Sequence, residues 1–261
     1  MIDGIVLRTV QYRDHDVIVE LLTAEEGRLS AIARGAKKSR KRYGAALELG
    51  NRVRLEFGRS GKNLRSIGTI DVTKPSKAVR SDLDRFHQLA YALELTARLA
   101  PEGQPDRAGY ELLDGFLDRL EAWPATPLGL VTWEVAVLTY HGFGVQFWPC
   151  VHSGGPAEML SLSAGGAYAR SAANYADGRP IAPRALEQLG FLANGAESAV
   201  AIEACYGEIR RALDHVWTLV TGKALKSARF LYDEARILPG ELNESASRPS
   251  ALPTPEDATT P

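Results

Sequence analysis

Residues 28–42 read RLSAIARGAKKSRKR. The opening six residues have the period-two alternation of a β-strand, and Gly35 then leads into a run in which Lys37, Lys38, Arg40, Lys41 and Arg42 fill five of six positions. The nearest acids in sequence, Glu25, Glu26 and Glu48, are too few to neutralise that run. An anionic polymer fits such a loop as a partner; a merely solvated basic face is the plainer alternative.

Upstream of this stretch lie two further strand patterns, residues 2–10 and 16–23, separated by a polar turn at 12–15 and followed by a turn at 25–27 that returns the chain antiparallel. Downstream, residues 51–57 place Val53, Leu55 and Phe57 on one face and Arg52, Arg54 and Glu56 on the other. The sequence GRSGKN at 58–63 suits a hairpin loop, and a fifth strand is expected over 64–72. Five short strands with tight turns within about 75 residues favour a small closed barrel, because closure removes exposed edges, and the oligonucleotide-binding (OB) barrel has that size.

Charge divides the chain in the same place. Residues 1–80 hold 17 Lys and Arg against nine Asp and Glu, a net of +8, whereas residues 81–261 hold 14 against 23, a net of −9. The first part is therefore a candidate anion-binding module. Two cysteines, Cys150 and Cys205, make no disulfide framework and point to a reducing compartment. Charges at Asp3, Arg8, Arg13, Asp14 and Asp16 leave no apolar segment for a signal peptide, and no uncharged apolar run approaches the ~20 residues of a membrane span. A cytoplasmic protein is expected.

Pro75 disfavours continuation of the strand before it, so an OB-fold domain over 1–78 is expected to give way to a helical domain over 81–235. Ser81 is expected to cap the first helix, with Asp84 as the capping-box acid, and Leu83, Phe86, Leu89, Ala90, Leu93 and Ala97 form its buried stripe. Leu113, Phe116, Leu117 and Leu120 mark a second helix over 110–120, and Trp133, Val137 and Leu138 a third over 130–140. Glycines and prolines from Gly142 to Pro180 make 141–182 an irregular excursion. Helices return at 183–192 and 199–221, and the Ser-, Thr- and Pro-rich stretch 239–261 is expected to be a disordered tail. The fold class is α+β.

No sequence pattern supports catalysis. The 58–63 loop lacks the spacing and the hydroxyl of a phosphate-binding nucleotide loop, and neither an HExxH helix nor a GxSxG turn is present. Asp14, His15 and Asp16 read as a polar turn. Cys150 and His152, even with His141, fall short of four convergent zinc ligands, and Cys205 lies in an apolar helical stripe. No cofactor is expected.

Nucleic-acid binding is the better reading. Arg28, Arg34, Lys37, Lys38, Arg40, Lys41, Arg42, Arg52, Arg54, Arg59, Lys62 and Arg65 fall on adjacent strands and loops of the expected barrel, where cations pair with phosphates without reading bases. Tyr12, Tyr43 and Phe57 are nearby aromatics, each a candidate for base stacking, although alternation puts Phe57 in the core. Phosphate attraction alone leaves a non-enzymatic RNA-binding or ribosome-associated OB-fold protein as the alternative.

Three blocks in order, GIVLRTVQYRDHDVIVELLTAEEGRLSAIARGAKKSRKR (4–42), GFGVQFWPC (142–150) and HVWTLVTGKALKSARFL (215–231), resemble the RecO family of bacterial DNA repair and recombination mediators. The resemblance spans roughly 1–235. It implies an OB barrel followed by a helical domain with an inserted zinc-finger-like loop region, and a nucleoid-associated protein that binds single- and double-stranded DNA and anneals complementary strands. It also implies work with RecR, and in some species RecF, to load RecA on DNA coated by single-strand-binding protein. By resemblance, the DNA surface includes Arg28, Arg34, Lys37, Lys38, Arg40, Lys41 and Arg42. The acidic, hydrophobic C-terminal tail of single-strand-binding protein is implied to dock on the helical domain, where Arg119, Arg210, Arg211 and Lys223 are the candidate cations. Zinc-bearing members repeat cysteines where this chain keeps Cys150 but has Ser153, Ala169 and Ala172, so the excursion is expected to fold without metal, by glycine turns and by packing of Phe147 or Trp148.

Overall fold

The computed structural model describes residues 1–39, 43–58, 64–196 and 201–231. Five strands close the barrel: β1 (Ile2–Tyr12), β2 (Asp16–Thr23), β3 (Gly27–Ala33), β4 (Arg52–Phe57) and β5 (Arg65–Lys74), in the order β1-β2-β3-β5-β4. All pairs are antiparallel except β3 with β5, which run parallel through Ala31 opposite Arg65 and Ile32 opposite Ser66. The expected barrel is present. Val6, Val19, Leu21, Leu29, Ala31, Val53, Leu55, Ile67 and Ile70 fill its interior.

A break in alternation decides what the other face of β1 does. Val6 pairs with Leu21 and Arg8 with Glu20, so Leu7 is an extra residue, and the register shift leaves both Leu7 and Arg8 facing outward. Ile5, Leu7 and Leu22 lie on the outer face by ordinary alternation around Val6 and Leu21 and join the core of the helical domain, and the bulge adds Arg8 to that face.

That domain begins with the short α1 (Lys77–Arg80) and continues through α2 (Leu83–Leu99), α3 (Arg107–Ala122) and α4 (Pro127–Tyr140). The cap of α2 differs from expectation. The Ser81 hydroxyl donates back to the carbonyls of Lys77 and Ala78, closing α1, so Asp82 takes the cap with extended backbone and accepts from the Arg85 N–H at 2.9 Å. Asp106 and Thr126 cap α3 and α4 in the same way, through the N–H groups of Gly109 and Gly129.

The barrel meets the helices closely at Gly27. Its φ of +61° and its proximity to the α2–α3 connection exclude a side chain, since a Cβ would lie 2.1 Å from the Gln104 carbonyl oxygen. Arg28 N–H donates to Pro101 O at 2.9 Å, and Gly103 N–H donates to Arg28 O at 3.1 Å. The connection thus extends the edge of the β2–β3 turn.

Within residues 141–182, β6 (Met159–Ser161), β7 (Gly166–Tyr168) and β8 (Arg179–Pro180) form a small antiparallel sheet in the order β7-β6-β8. Helix α5 (Pro183–Ala193), a 3₁₀ turn at Glu203–Cys205, α6 (Tyr206–Thr221) and a 3₁₀ turn at Ser227–Leu231 complete the described chain. The long final helix expected from 199 therefore starts at Tyr206. The tail expected from 239 lies outside the described residues. Among the described residues no helix is long and apolar enough to cross a membrane.

Candidate nucleic-acid interface

The basic loop leaves β3 at Ala33 and is tied at its root to the β1–β2 turn. Gly35 N–H donates to Asp16 Oδ1 at 2.8 Å and Lys37 N–H to His15 O at 3.2 Å, while Lys38 and Ser39 N–H groups return to Gly35 O. Asp16 is thereby committed to the backbone. Arg34, Lys37 and Lys38 are exposed and have no ion-pair partner among the described residues. Arg40, Lys41, Arg42, Arg59 and Lys62 lie outside the described residues.

The other predicted cations have carboxylates. Arg28 holds Glu20 at 2.7 Å and Glu102 at 3.1 Å, joining the barrel to the α2–α3 connection. Arg52, only 4% exposed, donates from Nε to Asp114 Oδ1 at 2.7 Å and from its NH2 group to the Asp114 carbonyl and to Asp118. It belongs to the seam between barrel and helices, not to an open DNA surface. Alternation puts Arg52 off the barrel core, and α3 then covers that outer position. Arg54 is exposed but grips Asp3 through two bonds of 2.8 and 3.1 Å, and that bonding holds the Asp3 carboxyl below its ordinary range. Arg65 pairs with Glu26 and lies over the Phe57 ring, 3.9 Å from its centroid.

The same sorting applies to the helical domain. Arg210 is fully buried, bonded to both oxygens of Glu134 and to Asp214 Oδ1 at 2.8 Å. Burial opposes its charge, and Glu134, Tyr91 and Asp214 more than offset that, raising its pKa. Trp217 Nε1 and the Tyr91 hydroxyl also donate to Glu134, so this is a core network, and Arg210 is corrected from a partner-binding cation to a structural one. Arg211 is exposed and paired with Glu208. Lys223 is exposed, and its carbonyl accepts from Arg98 at 2.9 Å. Arg119 is exposed beside Trp123, which is 68% exposed, and donates to Thr126 Oγ1 at 3.2 Å.

Sequence reasoning missed Arg8 and Arg13. Arg8 faces outward only because of the β1 bulge, and Arg13 lies over the Tyr12 ring at 5.2 Å from the hairpin turn. The spacing of Arg8, Val10 and Tyr12 was a usable signal, but the bulge that assigns it to the outer face has no mark in the sequence.

In the excursion, the turns at 150–154 and 169–172 face each other. Gly154 N–H donates to Cys150 O, Ala172 N–H to Ala169 O, and Ala169 N–H to Cys150 Sγ at 3.2 Å. Burial raises the Cys150 thiol, but hydrogen bonds from Ser153 and from the N–H groups of Ala169, His152 and Ser153 outweigh it and bring it down to about 7. The facing positions 153, 169 and 172 carry one hydroxyl and two methyls, and no group of three or more His, Cys, Asp or Glu converges among the described residues, so the residues present do not fit a zinc ion. Packing occupies the excursion instead: Phe147 is buried, Trp148 lies against Gly190, and His152 stacks on Tyr175 with Tyr168 edge-on to it.

Comparison with known proteins agrees with this architecture. Residues 1–76 match the family described as Recombination protein O N terminal, and residues 80–229 match Recombination protein O C terminal. The chain belongs to the Recombination protein O family. It is 35% identical over 245 residues to the DNA repair protein RecO of Anaeromyxobacter sp. (strain K), covering 90% of this chain and 96% of that one. The DNA repair protein RecO of Pelobacter propionicus is 34% identical over 233 residues, 87% of this chain and 93% of its own. Within the family frame, the two matched regions correspond to the barrel with its basic loop and to the helical domain with its excursion.

Proposed function

We propose that this protein is a recombination mediator in DNA repair, binding single- and double-stranded DNA through the open end of its barrel and bringing complementary strands together. The observation that carries this reading is the trio Arg34, Lys37 and Lys38, exposed and unpaired among the described residues on a loop anchored to the β1–β2 turn. Cations on such a loop displace condensed counterions from phosphates and screen the repulsion between two strands, while base pairing supplies specificity. The loop continues in sequence through Arg40, Lys41 and Arg42.

The partners in this reading are single-strand-binding protein, RecR and in some species RecF, with RecA the recombinase loaded. An acidic tail ending in an apolar side chain needs a cation beside an apolar surface, and Arg119 with Trp123 and Pro124 supplies that chemistry. Asp118 nearby is bound to Arg52 and Lys74, which lessens its repulsion of an acidic tail.

Annealing of complementary single strands tests the proposal, with strands bare or coated by single-strand-binding protein with its tail intact or deleted, across a salt series. Salt-sensitive annealing that needs the tail only on coated strands is expected. DNA binding without annealing would remove strand pairing from the function, and an equal or stronger preference for matched RNA would favour the RNA-binding reading.

A further inference from the structure

The outer face of the barrel has a covered end and an open end. At the covered end Ile5, Leu7 and Leu22 pack into the helical core. Along the same face, Arg8 pairs with Glu20, Val10 with Ile18 and Tyr12 with Asp16, and Ile18 in turn pairs with Ile32. Val10, Ile18 and Ile32 make one apolar row across three strands, with Tyr12 beside it. Val10 is 40% exposed and Tyr12 39% exposed, whereas Tyr43 is 3% exposed in the barrel core and Phe57 is half-buried with Arg65 over its ring. Of the three candidate stacking aromatics, Tyr12 is the most exposed; Arg13 lies over one face of its ring, at 5.2 Å from the centroid, and a base would take the other face.

The surroundings of this row specify its occupant. Arg8, Arg13 and Arg34 are exposed around it, and Lys37 and Lys38 stand on the loop tied to its turn. The acids of the same face are engaged: Glu20 with Arg28, and Asp16 with the Gly35 N–H. Asp14, at the exposed hairpin turn, is the nearby acid that makes no such bond among the described residues. An apolar strip with a phenol ring, rimmed by cations, matches a chain whose flat apolar groups hang from a phosphate backbone.

We propose that Arg8, Val10, Tyr12, Arg13 and Ile18 form a stacking strip for unpaired bases, distinct from the phosphate contacts of the basic loop. This rests on the DNA-binding reading and deepens it. Bases in a duplex hide their faces in the stack, so the strip favours single strands, whereas the loop attracts both forms. A strand held by this strip keeps its pairing edges free while one face of a base lies on Tyr12, which suits a protein that must hand the strand to its complement.

The test uses the full chain with a fluorescent single strand and the matched duplex, at several salt concentrations. Tyr12→Ala is expected to weaken single-strand binding about tenfold while leaving duplex binding and the salt slope unchanged, and Tyr12→Phe to retain wild-type affinity. Lys37→Ala with Lys38→Ala is expected to weaken both forms and flatten the salt slope. Tyr12→Trp gives a second readout: relative to the wild type, its added emission is quenched by single strands and not by duplex. Unchanged single-strand affinity in Tyr12→Ala, equal loss on both forms, or no differential quenching overturns the strip. Failure of the lysine variant to alter either form, with Tyr12→Ala selective, overturns the loop assignment and leaves the strip standing.

Discussion

The seam between barrel and helices and the open end of the barrel are built from the same residue types with opposite outcomes. At the seam, Arg28 and Arg52 meet Glu20, Glu102, Asp114 and Asp118, and Lys74 reaches Asp118. At the open end, Arg34, Lys37 and Lys38 meet no carboxylate among the described residues. A cation held by carboxylates orders two domains, whereas an unpaired one leaves its field available to a polyanion. Local charge density does not distinguish them; the acids that do come from elsewhere in the chain.

Breaking a buried pair on the structural side should have the largest effect. Arg210→Ala leaves Glu134 uncompensated in the core and should cost about 3–5 kcal/mol of stability, read as a fall in the urea midpoint. A change within experimental scatter would mean that the Arg210–Glu134 pair does not hold the core together. At the seam, Arg52→Ala should cost about 2 kcal/mol, since Asp114 and Asp118 retain partial access to water, and DNA affinity of the folded variant should match the wild type. Loss of DNA binding at unchanged stability would return Arg52 to the interface.

The open end should respond the other way round. Lys37→Ala with Lys38→Ala should shift stability by no more than about 0.5 kcal/mol and lower the salt slope of duplex binding by roughly 0.9 for each cation that contacts a phosphate. A destabilised variant with an unchanged slope would erase the contrast between the two regions.

The smallest effect concerns pH and lies wholly on the helical side. Burial lowers the pKa of both His141 and His215, with Asp106 opposing it at the first and the Asp177 carbonyl at the second. Their unfolded values are higher than their folded ones, so the unfolded chain takes up protons first on acidification. Stability is then full above about pH 6.5 and falls as pH drops below it towards the folded values. Urea midpoints at successive pH values should show a shallower decline over that window in His141→Gln with His215→Gln than in the wild type. An identical decline would assign the pH dependence to carboxylates.

The difference between cap and barrel shows how far local pattern reaches. Period-two runs and glycine turns mark all five strands, and helical stripes mark α2, α3, α4 and α5, because those signals lie within one element. Ser81 against Asp82 was not decidable locally, since either side chain caps a helix and the choice depends on whether Ser81 is already closing α1. Glu134 reads as an odd acid in an apolar helix, and its partner lies 76 residues away.

From the sequence alone follow a basic N-terminal barrel, a helical second part, and a family resemblance carried by three blocks. These rest on periodicity, turn chemistry and charge counts, all short-range properties. Tertiary structure decided which cations remain open and which face of β1 is exposed. It brought Asp114 and Asp118 to Arg52 across 62 and 66 positions, and it inserted one bulge residue that turned Arg8 and Tyr12 outward. Ion pairing depends on distance in space and a strand's faces on its register, and neither is a local property of the chain.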